Sequence, residues 1–192
     1  MNLKSLCNPR PSVFAADRRA TVLNLDTFLK GQVNGTEFFD ENYFTNGMMT
    51  LVDRAFRHLG GAGAGSSVFL LSQAMGGGKT HSMIGLGLLA RDPELRRSVL
   101  GQKDPAPRLG QCQVVGFNGR NSDAPGGIWG SIAEQLGKAE QFAQYVTPML
   151  KAPGPEAWRQ LLGGAPLILF LDELPPYLEN CVTIPVGGGD LG

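Results

Sequence analysis

Ser72-Gln73-Ala74-Met75-Gly76-Gly77-Gly78-Lys79-Thr80-His81 is the stretch on which the reading of this chain turns. Directly before it runs the apolar Val68-Phe69-Leu70-Leu71, and directly after it a long helix-forming segment opens at Lys79. A strand, a glycine turn and a helix in that order let backbone N–H groups close around phosphates. The Lys reaches the terminal phosphates and the Thr hydroxyl can hold Mg²⁺. Ala74, Met75, Gly76, Gly77, Gly78, Lys79, Thr80 and His81 are therefore candidate nucleotide-binding residues, with Thr80 also a candidate metal ligand. His81 either touches the ligand or packs locally. In the form G-x-x-x-x-G-K-[ST] the first glycine falls on Gln73, so the loop is a variant. Gly76 and Gly77 are expected to supply its permissive backbone. A surface Lys behind a glycine-rich turn is the plainer alternative, but it leaves the strand, the Lys-Thr pair and the buried helix unconnected.

The second half of the signal is the apolar run Leu167-Ile168-Leu169-Phe170-Leu171, which ends in Asp172-Glu173. A buried strand ending this way can supply a magnesium ligand, Asp172, and a catalytic base that orients water, Glu173. Acidic residues at a strand end are often merely solvated; it is the pairing with the glycine loop that gives them meaning. Together the two motifs read as an ATPase core that uses ATP and Mg²⁺.

Composition is compatible with that and narrows little else. The 192 residues suffice for one domain with a proper core. Seventeen basic and 17 acidic residues balance, so no global field draws the chain to nucleic acid or membrane. Cys7, Cys112 and Cys181 are odd in number and unclustered, which suits a reducing, cytoplasmic setting better than a disulfide framework. Pro9 and Pro11 interrupt an N-terminus without a signal-type apolar core, and no apolar run approaches the ~20 residues of a membrane span.

Along the chain, Thr21-Val22-Leu23-Asn24-Leu25 reads as a short strand and Asp26 as a helix cap. Residues 31–35 read as a turn-rich break. Thr45 looks like the N-cap of an amphipathic helix carrying Met48, Leu51, Val52, Ala55, Phe56 and Leu59, ended by Gly60-Gly61. Residues 1–65 thus form a lead-in and residues 66–192 the nucleotide-binding core. The helix from Lys79 is apolar nearly all round and should be buried, stopping near Arg91. Asp92-Pro93-Glu94 starts another helix, with Arg96 and Arg97 near its negative C-terminal end. Residues 111–118 read as the second core strand, closing on Asn118. A helix with Ile128, Trp129, Ile132 and Leu136 on one stripe follows, with Phe142, Tyr145, Val146 and Met149 as its extension beyond Gly137. A short helix opens at Pro155, and then comes the acidic strand. Strands alternating with helices imply parallel βαβ units. Three core strands are fewer than the roughly five or more of a doubly wound sheet, so the chain is expected to be the N-terminal part of a longer protein.

The stretch Phe38-Phe39-Asp40-Glu41-Asn42-Tyr43-Phe44-Thr45-Asn46-Gly47-Met48, the glycine loop, and Leu171-Asp172-Glu173-Leu174-Pro175-Pro176-Tyr177-Leu178 together resemble a family of large prokaryotic AAA-type ATPases known as a domain of unknown function. Its genes neighbour DNA methyltransferases and helicases in phage-defence or restriction-like clusters. The resemblance covers most of residues 12–180. It implies an α/β, three-layer P-loop NTPase sandwich with a parallel sheet, AAA-like, cut off after the acidic (Walker B) strand. It implies ATP binding, with Asp172 and Glu173 as the hydrolytic acid pair, and a polar residue on the neighbouring strand holding the catalytic Glu in an inactive pose. Asn118 occupies that place; capping of the following loop is its other reading. By association alone it implies nucleic acid or a DNA-modifying protein complex as partner, and a homo-oligomer. Gln73 departs from the class, and no segment supplies its sensor strand, lid or arginine finger. Three functions stay open: an ATPase motor or remodelling subunit, a nucleotide-gated binding module with little turnover, and an inactive fragment.

Overall fold

The computed structural model describes residues 23–72, 76–120, 124, 126–147 and 150–181. Asn24, and not Asp26, caps the first helix, α1 (Leu25–Leu29), by accepting from Thr27 N; Asp26 lies in its first turn. Residues 21 and 22 of the expected first strand lie outside the described residues, and Leu25 is helical. The expected break holds over residues 31–34, and Asn34 then caps α2 (Gly35–Glu41), whose Phe38 anchors that helix in the core. Thr45 caps α3 (Asn46–Leu59), as its sequence indicates, and the stripe Met48, Leu51, Val52, Ala55 and Phe56 is buried.

Val68-Phe69-Leu70-Leu71 joins no strand among the described residues, a departure from the expected three. Val68 and Leu70 are largely exposed, and only Leu71 packs against the core. A strand exists through its ladder partner, and an apolar run without one keeps its β-propensity unused. α4 (Lys79–Arg91) follows the glycine turn and is buried continuously from Met83 to Ala90. Gly85 and Gly87 make this possible, because a Cβ on Gly85 would run into Met48 and one on Gly87 into Phe28 and Phe170. α5 (Pro93–Leu100) has the expected Asp92 cap, whose Oδ1 accepts from Glu94 N and Leu95 N.

The sheet has two parallel strands, β1 (Gln113–Asn118) and β2 (Leu167–Asp172), in register from Gln113 opposite Leu167 to Asn118 opposite Asp172. Between them run α6 (Gly127–Gln135), the short α7 (Ala139–Phe142) and α8 (Pro155–Leu162), and α9 (Leu174–Cys181) follows β2. The fold is thus mixed α/β with a small parallel sheet. Its two edges differ. The Gln135 side chain lies along the outer edge of β1, taking Gly116 N on Oε1 at 3.0 Å and giving Nε2–H to Gly116 O at 2.7 Å. Arg91 extends the seal, donating to Val114 O at 3.0 Å and to Phe28 O at 2.9 Å. No further strand covers β2 among the described residues, and Leu171 on it is exposed.

The main core joins α1, α2 and α3 to α4, Leu100, Cys112, Val114 and Phe170, so the lead-in and the segment after residue 65 share one interior. A second cluster packs Val115 against Trp129, Ile132, Phe142 and Leu161 on the other side of the sheet. Arg96 is fully buried and bonded to Asp104 at 3.1 Å, with its guanidinium 5.0 Å over the Phe56 ring, where the sequence suggested only a charge at a helix end. No helix is long and apolar enough to cross a membrane among the described residues.

Candidate functional site

The glycine turn makes a left-handed step into α4. Gly76 and Gly78 both have φ +78°, and Gly78 is the N-cap of α4 without any side-chain cap bond. These two, rather than Gly76 with Gly77, carry the conformational demand. Among the described residues a Cβ on either would meet nothing within 4 Å, so the requirement there is φ itself. α4 is 13 residues long and its N-cap glycine offers no side chain, so the positive end of its dipole lies at the glycine turn. Gly76, Gly77 and Gly78 are exposed, and Lys79 and Thr80 half-buried. Ala74 and Met75, with Gln73, lie outside the described residues.

Thr80 Oγ1 donates to Asp172 Oδ2 at 2.7 Å, closing 92 residues of sequence. Helix α4 positions the first group and the C-terminal end of β2 the second. Asp172 Oδ1 accepts from Glu173 N at 3.1 Å, so both carboxylate oxygens are oriented. Glu173 has φ +50°, the sole positive value of a non-glycine residue among those described. Its carboxylate pairs with Arg120 at 3.3 Å. The backbone of Glu173 presses so closely on Gly119 that a Cβ there would collide with its carbonyl. Gly119 N in turn donates to Asp172 O at 2.8 Å.

Asn118 holds the loop after β1. Its Nδ2 donates to Asp26 Oδ2 at 2.9 Å and its Oδ1 accepts from Arg120 N at 3.1 Å. Asn118 thus links α1 to the loop after β1, and the group that pairs with Glu173 is Arg120. The available signal was local: an arginine two residues beyond the strand that neighbours the acidic one.

His81 lies in the first turn of α4 and bonds Asn42 Oδ1 through Nε2 at 2.8 Å. Its ring stands 5.0 Å from that of Phe38. Burial lowers its pKa below the ordinary 6.5, favouring the neutral imidazole. Asn42 Nδ2 donates to Phe38 O at 2.7 Å, so the amide ties the end of α2 to α4. Beside these residues and the glycine turn is a cavity of about 250 Å³.

Residues 29–108 match the family model described as the DUF499 N-terminal domain, so over that stretch the chain is similar to a family defined as a domain of unknown function. The matched stretch takes in α2, α3, the glycine turn and α4, and stops before both strands. No curated protein and no solved structure matches the chain.

Proposed function

We propose that this chain is the nucleotide-binding core of a Mg²⁺-dependent ATPase with a P-loop-type, AAA-like architecture. The observation that carries the reading is the 2.7 Å Thr80–Asp172 contact at the N-terminus of a helix entered through two left-handed glycines. Phosphates sit on the N–H groups of the 76–80 turn, and the Lys79 ammonium adds a charge-assisted bond to the terminal ones. A hydroxyl and a carboxylate are hard oxygen donors, the set that Mg²⁺ takes while keeping water and phosphate in its other positions. When bound, that ion neutralises charge on the phosphates. Glu173 orients the attacking water. In the structure its carboxylate rests on Arg120, so it must leave that partner to act.

The Arg120–Glu173 pair also favours a second reading, a nucleotide-gated binding module in which turnover is slow. A role as a motor or remodelling component of a DNA-linked phage-defence or restriction-like system, with nucleic acid or a DNA-modifying complex as partner, is supported by the family resemblance. The odd, unclustered cysteines support a cytoplasmic setting.

Titration with fluorescent ATP tests the binding step. Lys79→Ala is expected to weaken affinity by ~10–150-fold, the equivalent of one charged hydrogen bond, and equal affinity in a folded variant would sink the assignment. Phosphate release separates the two readings. Glu173→Gln stops turnover if the chain is an ATPase, and Arg120→Ala raises it if that pair restrains Glu173. Parent and both variants releasing phosphate at one negligible rate, with ATP bound, selects the gated module.

A further inference from the structure

The cavity beside the glycine turn has two unlike walls. One is the turn itself, Gly77 and Gly78, together with His81. The other is aromatic: Phe39, Tyr43 and Phe44, from the end of α2 and the turn into α3. The rings are contiguous, with Phe38 5.0 Å from Phe39 and Phe39 5.8 Å from Phe44. Tyr43 is 87% exposed, an unusual position for a large ring whose neighbours are half-buried.

The turn bearing these rings is fixed at both ends. Asn42 is tied by its amide to Phe38 O and to His81, and Thr45 caps α3 through Met48 N. Among the described residues, no Asp, Glu, Lys or Arg lines the cavity. An uncharged aromatic pocket thus adjoins a helix N-terminus that favours anions. The ligand chemistry that fits both is a flat ring joined to an anionic chain. A volume of about 250 Å³ falls just below the ~300–1,000 Å³ typical of sites for drug-sized ligands, which suits one ring system and excludes a whole nucleotide.

We propose that the aromatic turn at residues 39–44 is the base-binding subsite of the nucleotide, taking a purine by stacking. This rests on the nucleotide reading of the 76–80 turn and adds the specificity element to it. Stacking is the recognition mode because the Asn42 amide is already spent on His81 and Phe38, leaving ring faces as the pocket's main resource. A bicyclic purine covers more of them than a pyrimidine. The matched family stretch, residues 29–108, contains both walls.

Calorimetric titrations of the 192-residue chain with Mg·ATP, Mg·UTP and Mg·tripolyphosphate test it. Tyr43→Ala is expected to weaken ATP binding by ~5–150-fold, the range for loss of one stacked base, and to leave tripolyphosphate affinity unchanged. Tyr43→Phe keeps the ring and should bind ATP like the parent. ATP should bind more tightly than UTP. If Lys79→Ala weakens ATP and tripolyphosphate while Tyr43→Ala leaves their ratio at the parent value, the base subsite is wrong and the phosphate site stands. UTP binding as tightly as ATP overturns the purine assignment. A folded parent that binds neither ATP nor tripolyphosphate overturns the nucleotide reading and the subsite with it.

Discussion

Replacing Arg96 by Met removes a guanidinium from the most enclosed polar position of the described structure while keeping the length of its stem. Arg96 is fully buried. Its Nε donates to Asp104 Oδ2 at 3.1 Å, and its terminal nitrogens reach Leu89 O and Ala106 O at 3.5 Å and also Leu109 O. Asp104 Oδ1 meanwhile accepts from Ala106 N at 2.9 Å. One side chain therefore gathers α5, the end of α4 and the loop over residues 104–109. Arg96→Met leaves a buried carboxylate without its cation and strips a donor from three carbonyls. Removing one partner of a buried pair costs ~3–5 kcal/mol, against ~5–15 kcal/mol for a whole domain. With a urea slope of ~2 kcal/mol/M, the unfolding midpoint should fall by ~1.5–2.5 M, read by circular dichroism. Arg96→Met combined with Asp104→Asn should cost less than the sum of the two single changes by ~0.5–3 kcal/mol. A shift within the ~0.5 kcal/mol of ordinary surface substitutions, or strict additivity, would refute the reasoning.

Two further outcomes follow from packing and from charge. Gly87→Ala gains helix propensity but drives a methyl into the Phe28 and Phe170 rings, so it should destabilise by ~1–3 kcal/mol; Gly85→Ala meets mainly the flexible end of Met48 and should cost less in the same thermal melts, the reverse order contradicting the packing. The depressed His81 pKa means that the unfolded chain binds more protons below pH 6.5, so stability is complete above that value and falls as pH drops toward the folded pKa. Melting midpoints between pH 7 and 5 should decline less steeply in His81→Gln, and identical slopes would remove the assignment.

Where structure is set by neighbours in sequence, it was legible. Thr45, and Asp92 with Pro93, announce α3 and α5 through caps that the structure forms as hydrogen bonds. The continuous apolar stretch after Lys79 announces a buried helix. α2 was hidden because Gly35 reads as a breaker, although Asn34 before it is a sound cap. α9 was hidden by Pro175-Pro176, which occupy a first turn whose N–H groups need no partner. Val68-Phe69-Leu70-Leu71 has a strand's composition, but composition cannot supply the neighbour a strand requires. At the site, the glycine turn and Asp172 could be matched because their spacing to strands and helices is local. Arg96 with Asp104 and Asn118 with Asp26 are tertiary choices among many polar groups that no local pattern selects; Arg120, two residues beyond the strand beside the acidic one, is the exception.

The backbone of Glu173 is the least local of these features. A non-glycine residue at positive φ costs of order 1–3 kcal/mol and persists only where its surroundings over-determine it. The Arg120 pair is solvent-exposed on both sides and such pairs contribute ~0–1 kcal/mol, so it cannot hold the conformation alone. The stronger constraints are in the main chain: Glu173 N on Asp172 Oδ1, the close approach at Gly119, and α9 opening at Leu174 with two prolines behind it. They force a sharp strand-to-helix turn that presents the carboxyl beside Asp172 at the end of β2. If that is strain kept for the sake of the carboxylate, stability and chemistry should separate on substitution. Glu173→Gly should melt higher than Glu173→Ala, by the equivalent of ~1–3 kcal/mol, because only glycine takes this φ freely. Both lack the carboxylate, so in phosphate-release assays both should fall to the same residual rate. Alanine matching or exceeding glycine in stability would show that the turn is unstrained, and a carboxylate-free variant turning over like the parent would show that the strain serves something other than Glu173.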